Sequence, residues 1–135
     1  MEIRDYKKYI GIPFKNLGRD FDGCDCWGLV KLFYTNELGI ELPEYYLDCD
    51  DTCGIAETVE REISYKWVKE NSPAWGRVVT FKGLLPDTPI MITHVGVAIN
   101  SDFFLHTTNS GNSCLVRTNR GLWASKIEGY YTWKK

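Results

Sequence analysis

The hydrophobic positions of the chain follow a helical period in its first half and mostly an alternating one in its second. The clearest helical stretch has large apolar side chains at steps of three and four residues: Leu29, Val30, Phe33 and Tyr34. Such spacing places side chains on one face of an α-helix. Asp22 and Gly23 form a turn before the stretch, and Gly39 follows Leu38, where a left-handed cap is expected. The pattern predicts a central helix that begins near Cys26 and ends near Leu38.

Two further segments have helical spacing. A short helix is predicted over residues 2–10, where it would bury Ile3, Tyr6 and Ile10. A second amphipathic helix is predicted over residues 54–70, with apolar side chains at strict four-residue steps. These side chains are Ile55, Val59, Ile63 and Trp67.

After Pro73 the pattern changes to short apolar segments that are typical of strands. Five strands are predicted, over residues 77–82, 94–100, 103–108, 113–118 and 129–133, with a helical turn over residues 122–127. Helices followed by an antiparallel sheet indicate an α+β domain. The 135 residues are enough for one domain with its own core, so residues 1–135 are predicted to form a single domain.

Net charge and the lengths of the apolar runs indicate which classes of binding partner are not expected. A net charge of −2 draws the protein neither to nucleic acid nor to acidic membranes. No apolar run approaches the ~20 residues that a spanning helix needs. The N-terminus is charged from Glu2 onward and has no apolar signal core. We expect no nucleic-acid or membrane partner, and synthesis in the cytoplasm without a signal peptide, so that work outside the cell needs another route.

The five cysteines do not indicate a disulfide framework, because their number is odd and no signal peptide is evident. A zinc site is an alternative, since Cys24-x-Cys26 and Cys49-x3-Cys53 supply four sulfurs. Their spacing fits no common zinc motif, and Cys26 would open an amphipathic helix. The favoured interpretation has no metal and no cofactor, and leaves Cys24, Cys49, Cys53 and Cys114 as reduced thiols.

Cys26 is predicted to lie at the start of the central helix, a position that can activate its thiol. Unpaired backbone N–H groups and the positive end of the helix dipole favour a thiolate there. The two histidines of the chain, His94 and His106, are predicted to share one hairpin. If Ile99 pairs with Phe103, both histidines lie on one face within side-chain reach. A one-residue shift would separate them.

These three side chains suit acyl transfer. Cys26 would be the nucleophile, His94 the base, and His106 would orient the His94 ring through its other nitrogen. Backbone N–H groups at the helix start would bind the oxyanion of the tetrahedral intermediate. The residues therefore predict amide hydrolysis or acyl transfer to another acceptor.

Several motifs, in order, resemble the NlpC family of cell-wall cysteine peptidases. They are Gly-Ile-Pro-Phe at 11–14, Asp-Cys-Trp-Gly-Leu-Val at 25–30, Gly-Ile-Glu-Leu-Pro at 39–43, Trp-Gly-Arg-Val-Val-Thr-Phe at 75–81, His-Val-Gly-Val at 94–97 and Phe-Leu-His at 104–106. The resemblance implies a papain-like NlpC-type fold, with the nucleophilic Cys at a helix N-terminus packed on an antiparallel β-sheet. It also implies a peptidoglycan endopeptidase that cleaves γ-D-glutamyl–diamino acid bonds of stem peptides.

The resemblance further implies which residues bind substrate. Asp25 matches the residue that binds the free amino end of the stem peptide in family members. Trp27 stands where many members have Ser, and Phe14 replaces a common Tyr. Asp25, Trp27 and Phe14 are therefore the predicted substrate-binding residues, although these two departures change the contacts that can be expected.

Two other motifs resemble the family branch that is associated with tailed-phage tails: Gly-Cys-Asp-Cys-Trp-Gly-Leu-Val at 23–30 and Gly-Tyr-Tyr at 129–131. This resemblance implies a virion protein that opens the host wall locally, with tail-tip or hub proteins as partners. Two alternatives stay open. The chain would be either a structural tail-tip protein with an occluded cleft or another acyl-transfer enzyme, acting on lipid or amide, on the same fold.

Overall fold

The computed structural model describes residues 5–45, 47–48, 51–83 and 92–134. Two α-helices, α1 (Cys26–Phe33) and α2 (Thr52–Lys66), pack against a six-stranded antiparallel sheet. The strands in chain order are β1 (Arg19–Asp20), β2 (Gly23–Cys24), β3 (Trp67–Glu70), β4 (Val78–Lys82), β5 (Ile92–Ala98), β6 (Phe103–His106), β7 (Cys114–Arg117) and β8 (Ile127–Trp133). The large sheet has the order β3-β8-β4-β5-β6-β7, and β1 and β2 form a separate hairpin. The predicted α+β fold is confirmed.

Helix α1 begins where the sequence predicts. The Asp25 carboxylate accepts a hydrogen bond from the Gly28 N–H at 2.8 Å, which satisfies one of the unpaired donors of the first turn. The α-helix continues as a π-helix, Tyr34–Leu38, and ends at Gly39 with a left-handed φ of 66°. The predicted face is fully buried and consists of Leu29, Val30 and Phe33. The helix therefore presents its apolar face to the core and its first residue, Cys26, to the site.

The N-terminal segment differs from the predicted helix over residues 2–10. Its described part contains one short 3-10 helix, Lys7–Tyr9. Tyr9 is 0% exposed and its ring lies 5.2 Å from that of Phe33, whereas Ile10 is 41% exposed. Burial of Tyr9 against α1 replaces the predicted burial of Ile10, and Ile3 lies outside the described residues.

The second helix is shorter than predicted. It ends at Lys66, and Trp67 begins β3, which pairs with β8. The Trp67 ring packs 5.1 Å from that of Trp133 on β8. The four-residue step from Ile63 to Trp67 is compatible with a helix, but the pairing with a strand distant in sequence decides the outcome. In the described part of the chain, no helix is both long and apolar enough to cross a bilayer.

The five predicted strands and the helical turn are present, with ends that differ by one or two residues. In the β5–β6 hairpin, Val97 pairs with Leu105, and the Ile99 N–H donates to the Phe103 carbonyl at 3.1 Å. This register places Gly96 opposite His106. A Cβ at Gly96 would lie 2.5 Å from the Leu105 carbonyl oxygen, so only glycine allows the two strands to approach this closely.

Candidate active site

A cavity of about 240 Å³ lies between the start of α1, helix α2 and strands β4, β5 and β8. Its wall contains five of the six predicted site residues: Phe14, Asp25, Cys26, Trp27 and His94. The sixth, His106, is joined to the cavity through His94. The structure thus brings the predicted site residues to one place.

Cys26 is half-buried at the first position of α1. Burial raises the pKa of its thiol to about 11, and the neighbouring Asp25 carboxylate acts in the same direction. The backbone N–H groups of Val95 and Trp27 favour the thiolate, but their effect is smaller. The thiol is therefore neutral near neutral pH, whereas its helix position alone predicts a thiolate. Loss of hydration at the sulfur outweighs the helix N-terminus.

His94 and His106 form a hydrogen-bonded pair, with His94 Nε2 and His106 Nδ1 2.9 Å apart. One ring must donate and the other accept, so their tautomers are linked, and Nδ1 of His94 is left for another partner. Burial lowers the pKa of His94 to about 3, with smaller effects from His106 and Lys126, and lowers that of His106 to about 4. Both imidazoles are therefore neutral near neutral pH.

Aromatic rings enclose the histidine pair. The Trp123 ring lies 5.0 Å from the His94 ring and 4.7 Å from the His106 ring, and Phe81 lies 5.1 Å from His94. Phe81 pairs directly with His94 across the sheet, so the two side chains leave the same face. Val95, the next residue, packs instead with the apolar cluster around α1.

Cys26 and His94 both line this cavity, while their neighbours belong to two different apolar clusters. Within the described ranges, no hydrogen bond of regular geometry joins the Cys26 thiol to either imidazole. The wall of the cavity thus contains a neutral thiol and one member of a neutral, hydrogen-bonded histidine pair. Catalytic hydrogen bonds of this kind often tighten only when substrate is bound.

The Asp25 carboxylate is occupied within the protein. It accepts hydrogen bonds from Arg19 Nη1 at 2.7 Å, from the Gly28 N–H at 2.8 Å and from the Leu17 N–H at 2.9 Å. Its side chain is 8% exposed, and Arg19 also pairs with Glu44 at 2.8 Å. The structure shows Asp25 capping α1 and fixing Arg19, which leaves little of the carboxylate for a substrate.

Trp27 and Phe14 contribute apolar surface to the cavity. The Trp27 Nε1–H donates to the Pro43 carbonyl at 3.1 Å, and its ring lies 5.2 Å from that of Tyr45. Phe14 is half-buried and forms a β-bridge with Cys24, two residues before Cys26. Both rings are therefore held in place by the protein at the wall of the cavity.

Sequence reasoning missed other side chains of the site, among them Tyr45, Glu62, Thr107 and Trp123. Thr107 follows His106 directly, which is the only local signal for any of them. Glu62 lies on α2 between positions that the periodicity assigns to an apolar face. Tyr45 reaches the site from an irregular segment, and Trp123 from the start of a short helical turn whose pattern does not indicate what it packs against.

Metal binding finds no support among the described residues, where no three His, Cys, Asp or Glu side chains are grouped to hold an ion. Cys24, Cys26, Cys53 and Cys114 are free thiols. Cys49, on which the zinc alternative depends, lies outside the described residues.

Several proteins of known structure share this fold. Among solved structures, the chain is similar to the NlpC/p60 domain of the peptidoglycan hydrolase SagA, with a TM-score of 0.62, 20% identity, and coverage of 93% of this chain and 91% of that one. It is also similar to an NLP/P60-family lipoprotein-like protein of Staphylococcus aureus (TM-score 0.62, 20% identity) and to an NlpC/P60-family protein of Bacillus cereus (TM-score 0.61, 17% identity). In these two matches the aligned region covers 95% and 96% of this chain. It covers only 38% of each of the other two chains.

These identities are low enough that the structural likeness shows the fold alone. No curated protein matches the sequence. The model of the NlpC/P60 family, however, matches residues 11–131, a range that contains Cys26, His94 and His106. With nearly the whole sequence matched and the same fold in the three solved structures, the chain belongs to the NlpC/P60 family.

Proposed function

We propose that the protein is a peptidoglycan endopeptidase that hydrolyses amide bonds of stem peptides with Cys26 as nucleophile. The observation that carries the proposal is the cavity whose wall contains both Cys26 and His94, with His106 hydrogen-bonded to His94. Family membership supports it, as does the shared fold with a domain of the peptidoglycan hydrolase SagA.

The neutral resting state determines the first chemical step. Cys26 Sγ attacks the carbonyl carbon of the scissile amide while His94 Nδ1 takes the thiol proton, so His94 acts as a general base during attack. Backbone N–H groups at the start of α1 stabilise the oxyanion of the tetrahedral intermediate. Collapse of the intermediate expels the amine, which receives the proton from His94, and leaves a thioester on Cys26.

Water completes the reaction by the reverse proton path. His94 removes a proton from the water that attacks the thioester, and Cys26 leaves as the thiol. His106 holds the His94 ring through the 2.9 Å hydrogen bond and shares the positive charge that develops there. The bond cleaved is the γ-D-glutamyl–diamino acid bond, a proposal supported by the sequence motifs shared with NlpC peptidases.

Digestion of defined muropeptides tests this function. Muropeptides that contain either lysine or meso-diaminopimelate are incubated with the parent protein and with Cys26→Ala, and the products are identified by mass spectrometry. The expected result is a new pair of fragments from the parent, with γ-D-glutamate at one new end, and none from the variant. Intact muropeptides after prolonged incubation with folded parent protein would contradict the proposal.

We also propose that a phage virion carries the protein to the wall, in contact with tail-tip or hub proteins. The motifs at residues 23–30 and 129–131 support this location. Its test is cryo-electron microscopy and peptide mass spectrometry of purified virions from a phage that encodes the chain. Finding the chain in the infected-cell lysate but not in the particles would contradict this location and leave the hydrolase proposal intact.

A further inference from the structure

Glu62 gives the cavity wall a charge that no ion pair neutralises. Besides the neutral His94, the charged types in the wall are Arg19, Asp25 and Glu62. Arg19 and Asp25 pair with each other at 2.7 Å, and Arg19 also pairs with Glu44. Glu62 projects from α2, is half-buried, and makes no ion pair within the ranges that the structure describes. The wall therefore contains one carboxylate without an ion-pair partner; Arg61, which is not part of the wall, is the cation that acts on the neighbouring Tyr45 hydroxyl.

Two hydroxyl groups of the same wall lack hydrogen-bond partners. Of the buried side-chain nitrogen and oxygen atoms in the described residues, only Tyr45 Oη and Thr107 Oγ1 are unpaired, and both residues line this cavity. Thr107 is 1% exposed. Tyr45 Oη lies close enough to the Glu62 carboxylate for the two groups to interact, and no donor reaches the lone pairs of its oxygen. Unpaired buried hydroxyls are costly, so a polar group of a ligand would stabilise them.

The remaining wall around these polar groups is largely apolar. Its side chains include Trp27, Ile55, Val59, Ile63 and Val95. An apolar wall weakens screening by water and strengthens the attraction between the carboxylate and a cation. A primary ammonium group suits this environment because it carries three N–H donors and one positive charge. A carboxylate of the ligand would be repelled by Glu62.

We propose that this cavity binds a primary ammonium group of the substrate, with Glu62 as the counter-charge and Tyr45 Oη as a second acceptor. Thr107 Oγ1 binds a peptide group of the same substrate next to the His94–His106 pair. The inference rests on the proposed function and assigns amine recognition to Glu62 in place of Asp25, whose carboxylate Arg19 occupies. A stem peptide offers two such ammonium groups, its free α-amino end and the side-chain amine of its diamino acid.

Steady-state kinetics of Glu62→Gln tests the counter-charge, because glutamine keeps the shape and removes the charge. On a stem tetrapeptide with both amines free, we expect KM to rise about tenfold or more, the loss of one charge-assisted hydrogen bond, with kcat nearly unchanged. Glu60→Gln, at an exposed position of the same helix, is the matched control and should keep the parent KM. Equal KM values for Glu62→Gln and the parent would overturn the inference.

Acetylation of the substrate identifies the ammonium group. One peptide is acetylated at the α-amine and another at the side-chain amine. The parent should lose affinity for only one of them, and on that peptide the parent and Glu62→Gln should have the same KM. Loss of affinity for the peptide acetylated at the α-amine would show that the cavity binds the amino end. Loss of affinity for the peptide acetylated at the side-chain amine would show that it binds the diamino acid. If the parent binds both acetylated peptides as well as the free one, the inference is overturned.

Thr107→Val separates a binding role from a structural one. Valine fills the same space without the hydroxyl, and the hydroxyl has no partner to lose in the free protein. We expect a higher KM together with an unchanged or raised thermal midpoint. An unchanged KM, or a lowered midpoint that accounts for the loss, would overturn the role of Thr107.

A binding measurement keeps the inference testable if the parent cleaves no muropeptide, which would refute the proposed function alone. Calorimetry then compares the affinity of the free tetrapeptide for Cys26→Ala and for Cys26→Ala with Glu62→Gln. About tenfold weaker binding by the double variant supports the ammonium site. Equal affinities, or no binding by either protein, would overturn it.

Discussion

Cys26 and His94 are both held in their neutral forms, and the same physical cause acts on each. Removal of water disfavours whichever form of a group is charged. The pKa of the Cys26 thiol therefore rises to about 11, and that of the His94 imidazole falls to about 3. At the residue scale, the cavity therefore contains a neutral thiol and a neutral imidazole rather than a thiolate–imidazolium ion pair.

The neutral thiol predicts slow alkylation. Since the thiolate reacts and its fraction grows about tenfold per pH unit below the pKa, the iodoacetamide rate at Cys26 should still be rising well above pH 8. Peptide mass mapping over a pH series measures the rate, with the exposed Cys53 as internal reference. A Cys26 rate that is faster than that of Cys53 near neutral pH and already level would show that a thiolate is present at rest.

His94 and His106 are predicted to differ in their tolerance of substitution. His94→Ala should remove nearly all activity because the base takes part in every proton transfer. His106→Asn should keep part of kcat, since asparagine can still accept a hydrogen bond from His94, and His106→Ala should fall lower. Muropeptide turnover by each folded variant is the measurement. An inactive His106→Asn beside an active His94→Asn would reverse the two roles.

At the scale of elements, helix α1 connects the core to the site. Its buried face packs on the sheet, and its first turn holds Cys26 beside the backbone of Val95 on β5. Asp25 caps the helix and binds Arg19, which ties the β1–β2 hairpin to the helix start. Displacement of the helix face would therefore also displace Cys26.

Phe33→Ala tests this coupling. Phe33 is 0% exposed, and its ring lies 5.2 Å from that of Tyr9 and 4.8 Å from that of Trp75. Truncation should lower the free energy of unfolding by roughly 3–5 kcal/mol, as expected for a fully buried aromatic ring. Chemical denaturation measures it, with the exposed Thr35→Ala as control. Equal stability of the two variants would mean that the buried face of α1 is assigned wrongly.

At the scale of the whole molecule, the buried histidines link folding to pH. An unfolded histidine has a pKa of about 6.5, whereas His94 and His106 titrate in the folded protein at about 3 and about 4. Below about pH 6.5 the unfolded chain therefore binds protons that the folded chain does not. Stability must fall as the pH is lowered through this window, until the pH reaches the folded pKa values.

Denaturation at about pH 7 and about pH 5 should show this loss, with a slope of up to about 1.4 kcal/mol per pH unit for each histidine. The pKa values of Glu44 and Glu128 are lowered by Arg19 and by Lys69, among other partners. The stability that these two carboxylates contribute is therefore lost only at more acid pH. His106→Asn should reduce the slope. Equal stability of the parent at the two pH values would contradict the burial of neutral imidazoles.

The local sequence pattern was sufficient to predict the elements that carry Cys26, His94 and His106, the proposed catalytic residues. The three- and four-residue steps from Leu29 to Tyr34 determine the buried face of α1, and Gly39 determines where the helix ends. The register of the β5–β6 hairpin follows from its short turn and its alternation, because a one-residue slip would reverse every side chain. Both features depend on interactions between residues that are close in sequence, so they can be predicted from the sequence alone.

Only the tertiary structure decided the rest. Trp67 leaves its helical pattern because β8, some sixty residues away, offers a strand partner. Arg19 occupies Asp25, and Tyr45, Glu62 and Thr107 meet at one cavity, through contacts between segments far apart in the chain. The protonation states of Cys26, His94 and His106 also depend on the tertiary structure. The pKa of a thiol or an imidazole depends on how much water the surrounding packing removes, and no local pattern records that quantity.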